Sequence, residues 1–175
     1  MEKEKSKWLP LPATETAENI ASLIVKKYEE YAEEEIPEDK LMTLLYFCVR
    51  DTSYITQHYI IKEKFEIHNY ADVKLNISLP SLKTLRKQSY VIHDSNLKVL
   101  LETLIEQYSV IENWKLKQRI GRTYAQLNRV GMEEMLSKLK QIEKGKLTKF
   151  PPKEVTLDML WEDAKRNINY KYYTI

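Results

Sequence analysis

Glycine is scarce in this sequence: 3 of 175 residues, at positions 121, 131 and 145. Loops that cradle phosphates need several glycines close together, so nucleotide-binding motifs of that kind are excluded. Cysteine occurs once, as Cys48. One thiol makes no internal disulfide, and nothing points to an oxidising compartment. The 3 histidines are His58, His68 and His93. No pair has the close spacing that lets one helix or hairpin offer two metal ligands. Long apolar runs are missing too: the longest, 44–49, is far short of the roughly 20 residues that span a bilayer. The opening residues Glu2, Lys3, Glu4, Lys5, Ser6 and Lys7 have no apolar stretch behind them, so no secretion signal is expected. No nucleophile elbow or local triad signature is present, and Cys48, on the apolar face of a helix, reads as core. The expectation is a cytoplasmic protein with no membrane partner, no catalytic residue, no metal and no cofactor. It is not expected to be an enzyme.

What is there is enough to fold. Hydrophobic residues make up 43% and charged residues 31% of the chain, a mix that separates it from disordered polymers and membrane proteins. At this length about two-thirds of the unfolded chain's surface can be buried, so one domain with a core is expected. There are 12 tyrosines. These stiff rings with polar tips suit the rim of a core and equally suit an interface. The net charge of +2 hides a gradient: residues 1–50 balance to −4 and residues 112–150 to +6. A basic segment attracts phosphate or an acidic protein surface.

Periodicity predicts a mainly α protein, a helical bundle with a small β-hairpin. Residues 1–13, with Pro10 and Pro12, read as an extended arm anchored by Trp8 and Leu9 or Leu11. Residues 14–150 read as the helical domain, with the hairpin near 62–79. Residues 151–175 read as a C-terminal helix and tail. Thr14 or Thr16 can cap a first helix whose apolar face is Ile20, Leu23, Ile24, Tyr28 and Tyr31. Pro37 opens a second helix bearing Leu41, Leu44, Leu45 and Cys48, the expected centre of the core. Residues 54–61 fit helix or strand. Phe65 and Ile67, then Val73, Leu75, Ile77 and Leu79, alternate with polar residues in the strand period. Asp94 or Ser95 caps a helix with an unbroken face of Leu97, Leu100, Leu101, Leu104, Ile105 and Tyr108. Ser109 and Glu112 match a capping box for the next helix, which Gly121 is expected to interrupt. Met132, Met135, Leu136, Leu139 and Ile142 suggest a further helix, and Thr156 can cap the last.

Several residues are candidates for contact with a partner. Trp8 lies on the arm, and Glu30, Glu33 and Glu34 lie at the acidic end of the first helix. Lys115, Lys117, Arg119 and Arg122 form the basic centre of 111–140, and Tyr172 and Tyr173 lie in the tail. A protein partner (a toxin, a protease client or a nuclease) is the leading expectation. Nucleic acid is the second: helix, turn at Gly121, helix, turn at Gly131, helix would make 111–140 similar to a helix-turn-helix regulator, with lysines and arginines on phosphates.

The run Leu41, Met42, Thr43, Leu44, Leu45, Tyr46, Phe47, Cys48, preceded by Ile36 and Pro37, resembles a leucine- and aromatic-rich helix of the Panacea, or SocA-like antitoxin, domain. Residues 65–73 resemble the segment that follows it there. Residues 100–108, with Asn113, Trp114, Lys115 and Leu116, resemble a later helix and a tryptophan-x-leucine turn. The likeness covers roughly 17–130 in matching order. Ala71 and Asp72 stand where that family has glycine-proline, and Thr43 stands where it has lysine. The strand-like alternation of 73–79 replaces a segment usually helical there. The resemblance implies a prophage or mobile-element protein that neutralises a toxin by direct contact or presents a client to a protease. It carries no catalytic residue. A phage-encoded, anti-CRISPR-like inhibitor of a defence nuclease shares that context, with the acids at 29–35 standing where such an enzyme expects phosphate.

Overall fold

The apolar run at 44–49 becomes the middle of a helix with almost no solvent face. In the computed structural model, which describes residues 8, 12–68, 71–127, 137, 140–141 and 153–167, this helix is α2, Glu38–Thr56. Every residue from Leu44 to Tyr54 is buried, as expected for a helix wrapped by neighbours on all sides. The others are α1 (Ala17–Ala32), α3 (Leu82–Lys87), α4 (Ser95–Ser109), α5 (Asn113–Leu127) and α6 (Leu157–Asn167). The strands are β1 (Phe65–His68), β2 (Asp72–Leu75) and β3 (Lys153–Glu154). The protein is mainly α with a small antiparallel sheet of order β2-β1-β3.

Helix α2 packs against α1, α4, α5, α6 and β2, while α1 also packs on α3 and α4. The leucine faces at 41–48 and 97–108 therefore meet, and the Phe47 and Tyr108 rings lie 4.9 Å apart. Helix starts follow the caps legible in sequence. Thr16 Oγ1 accepts from Asn19 N (3.2 Å), Asp94 Oδ1 from Asn96 N and Leu97 N (2.9 and 3.2 Å), and Thr156 Oγ1 from Met159 N (3.1 Å). Helix ends are unusual. Glu33 (φ 55°) closes α1 and Gln57 (φ 61°) closes α2, both left-handed. Glycine normally fills such positions, and this chain has almost none to spend there.

One open reading is resolved, two expectations are corrected and one strand is added. Residues 54–56 continue α2, and the chain then leaves the helix to form a parallel bridge between Ile61 and Glu15. The alternation through Leu79 overstates the strand: β2 ends at Leu75. Asn76 N donates to Lys64 O (2.9 Å) and Asn76 Oδ1 accepts from Lys64 N (3.1 Å). Beyond them Ile77 has no pairing strand and is 48% exposed. A third strand, β3, was not foreseen; Val155 N, just after it, donates to Phe65 O (2.9 Å). Ser109 is no helix cap. It is the last residue of α4, its hydroxyl donating back to Ile105 O, and α5 begins at Asn113. The turn at 69–70, most of the helix expected at 132–142 and the tail from 168 onward lie outside the described residues.

Candidate protein-contact surface

Polar chemistry in this chain falls into an interior network and an outer face. The network begins on α2, where Arg50 and Asp51 interrupt the apolar sequence. Arg50 is 3% exposed, Asp51 0% and Asp163 of α6 1%. Arg50 Nε donates to Asp51 Oδ1 (2.7 Å), Nη1 to Asp163 Oδ2 (3.2 Å) and Nη2 to the Tyr108 hydroxyl (3.4 Å). Tyr108 donates to Asp51 Oδ2, and Tyr46 donates to Asp163. Because the Tyr46 proton is committed to Asp163, Tyr124 is the donor in its 2.7 Å bond to Tyr46. Asn167 Nδ2 donates to Asp163 Oδ1 (2.7 Å) and Thr123 Oγ1 (3.0 Å). The face of Phe47 covers the guanidinium at 4.7 Å. Burial opposes the charge on Arg50, but Asp51 and Asp163 outweigh it and hold its pKa well above the ordinary value. Burial, then the Asp163 charge, pushes the Tyr46 and Tyr124 hydroxyls up. The network joins α2, α4, α5 and α6. Its charged centre is buried, with Tyr108 half-buried and Asn167 exposed at its margin, and it ties these helices to one another. Cys48 beside it is fully buried, with its thiol pushed up by burial and by Asp51, the state of a core thiol and not of a nucleophile.

The outer face is on α5. Leu116, Ile120, Thr123 and Tyr124 turn inward and are buried. Trp114, Lys115, Gln118, Arg119 and Arg122 are exposed, and their spacing places them on the opposite side of the helix. Trp114 is 59% exposed, and Val110, at the turn into α5, is 81% exposed. Neither Arg119 nor Arg122 makes an ion pair among the described residues; Lys115 has one loose contact, 3.9 Å to Glu112. The start of α2 braces this corner. Lys40 Nζ donates to Ile111 O, and Asn113 Nδ2 donates to Asp39 Oδ2 (2.7 Å). Glu112 accepts the Trp114 indole N–H, and Lys115 Nζ lies 5.4 Å from the Trp114 ring centre.

The structure sorts the contact residues expected from sequence. Lys115, Arg119 and Arg122 come together on α5. Lys117 does not join them: it sits between Asp39 (2.9 Å) and Asp72 (2.5 Å), beside an open groove of about 940 Å³ bordered by α2 and β2. Burial pulls the Lys117 pKa down, but hydrogen bonds to Asp72 and Asp39 outweigh it and raise it. Trp8 is an internal anchor, 5% exposed. Its indole donates to Leu157 O (2.9 Å), and its ring stands edge-on to Trp161 at 4.9 Å. Glu30, Glu33 and Glu34 are exposed at the end of α1; Glu30 pairs with Lys27 (3.3 Å), and Glu34 accepts from the Tyr28 hydroxyl (3.2 Å). Tyr172 and Tyr173 lie outside the described residues. The helix-turn-helix outline is corrected: α5 runs unbroken through a buried Gly121, because its inward face is continuous from Leu116 to Tyr124 and outweighs one glycine's cost of roughly 1 kcal/mol. The turn expected at Gly131 lies outside the described residues.

Sequence reasoning missed Val110 and the interior network. Arg50 and Asp51 directly after the apolar run 44–49 were a visible signal, but their partner Asp163 lies 113 positions away from Arg50. Among the described residues, no three His, Cys, Asp or Glu side chains cluster to hold a metal ion, and no helix is long and apolar enough to cross a membrane. The chain matches no protein-family model, no curated protein and no solved structure.

Proposed function

We propose that this protein acts by touch: a helical scaffold that binds a protein partner, as an antitoxin or adaptor of a prophage or mobile element does. One observation carries the reading: Val110 and Trp114, 81% and 59% exposed, stand at the α4–α5 turn on a backbone braced by Lys40 and Asn113. A tryptophan held out in water on a braced backbone is the kind of anchor around which interface hot spots form, and Val110 extends the apolar surface beside it in the chain. The likeness of 41–48 to the Panacea domain points the same way, and family membership is part of the proposal.

The test is photo-crosslinking in the native host, with p-benzoylphenylalanine replacing Val110. A protein adduct is expected, and Trp114→Ala should reduce it about tenfold, the loss of a central aromatic anchor. Val99, exposed on α4 at 63%, is the control position. Adducts no stronger at 110 than at 99 would sink the reading. A second reading, an inhibitor of a nucleic-acid enzyme, is favoured by the exposure of Glu30, Glu33 and Glu34. It requires the adduct from a crosslinker at Glu33 to be a nuclease.

A further inference from the structure

The outer face of α5 has a composition that selects its partner. Lys115, Arg119 and Arg122 follow at four and three residues, so they line one side of the helix over about 10 Å. No acidic residue occurs anywhere in α5. Arg119 and Arg122 have no ion pair among the described residues. Lys117, on another side of α5, is neutralised by Asp39 and Asp72. Among the described residues the cationic stripe of α5 is three side chains, and Trp114 and then Val110 precede it in the chain.

We infer that α5 docks on an acidic protein surface, with carboxylates facing Lys115, Arg119 and Arg122 and an apolar recess taking Trp114. This rests on the reading that the chain works by protein contact. Charge complementarity identifies the partner's sign. The apolar end identifies it as protein and not nucleic acid. An isopropyl group such as Val110 gains nothing from a phosphate backbone, whereas a recess in a protein buries it. Glu112, exposed between Val110 and Trp114, repels phosphate and is tolerated beside a protein whose acids lie further along the stripe. Arginine is suited to the role because its planar fork meets a carboxylate with two bonds.

The experiment uses the full chain with the crosslinker at Val110, in two charge-reversed backgrounds. One is Lys115→Glu, Arg119→Glu, Arg122→Glu. The other, a control of equal net charge, is Lys62→Glu, Lys83→Glu, Lys87→Glu, exposed residues on other elements. Unchanged melting temperatures establish that both fold. The stripe variant should lose about tenfold of the protein adduct and the control less than about twofold, since only charges at the contact act at short range. Mass spectrometry of the adduct should place it on a partner peptide rich in Asp and Glu. Equal loss in both backgrounds, or a neutral or basic contact peptide, overturns the acidic partner and leaves protein contact standing. No adduct from the unaltered face removes both. A gel-shift arm uses a 20-base-pair duplex and a 20-nucleotide single strand at low salt (about 50 mM), where phosphate contacts are strongest. Binding of either that the stripe variant abolishes assigns α5 to nucleic acid and overturns the inference.

Discussion

Arg50 sits where the apolar pattern of α2 calls for a leucine, and the fold works around it. Two carboxylates and a tyrosine hydroxyl meet its guanidinium at 2.7, 3.2 and 3.4 Å. A buried pair of this kind adds little over a well-packed apolar substitute, but removing one partner leaves the others charged in a dry site. Arg50→Met is therefore expected to destabilise the protein by about 3–5 kcal/mol, read as a lower urea midpoint at unchanged slope. Arg50→Lys, which keeps the charge and loses the fork, should fall between the two and serves if the methionine variant does not fold. A loss below about 1 kcal/mol, the typical value for exposed pairs, would show that the network does not hold the helices.

At the scale of elements, the join between α1 and α3 answers to pH. The Arg86 guanidinium donates to both Glu29 oxygens (2.7 and 2.9 Å), and this holds the carboxyl below its ordinary value of 4.5; burial opposes it, and the Ile36 N–H assists at 3.1 Å. A carboxyl depressed in the folded state contributes stability that is fully present above its unfolded pKa and lost as pH falls through its folded pKa. The stability gap between the wild type and Glu29→Gln should be constant above about pH 5 and close progressively below it. Urea titrations across that series check it; a gap that persists undiminished to the acid end refutes the assignment. Elsewhere the helix limits followed caps, while the strand limits followed partners. Val73, Leu75 and Ile77 alternate alike in sequence, yet only the first two lie in β2, because β1 begins opposite Leu75.

At the scale of the whole molecule, Trp8 is joined to a helix 149 positions further along the chain. Trp8 packs edge-on against Trp161 and Tyr59, with centres 4.9 and 6.2 Å away, and donates to the backbone at the start of α6. Helix α6 also supplies Asp163 to the interior network, so Trp8 acts as a clamp over the element that completes the core. Trp8→Ala should cost about 3 kcal/mol or more, in the range for truncating a buried aromatic. Hydrogen exchange should speed first at amides 157–167. An unchanged melting temperature with full protection of α6 would mean that the arm only rests on the surface.

Helix faces, the caps at Thr16, Asp94 and Thr156 and the α2 centre were legible in the sequence, because each depends on residues a few positions apart; the Ser109 cap failed because α4 runs through it. The basic character of α5 was legible for the same reason. Trp8 was expected as an anchor, but four outcomes were not legible: its landing on α6, Lys117 neutralised, α5 unbroken at Gly121 and Val110 left in water. Each depends on which distant segment arrives alongside, and a one-dimensional pattern carries no record of that. Local order in this protein is written in short-range spacing. Which charges and rings remain exposed to meet a partner was decided only when α2 gathered α4, α5 and α6 around itself.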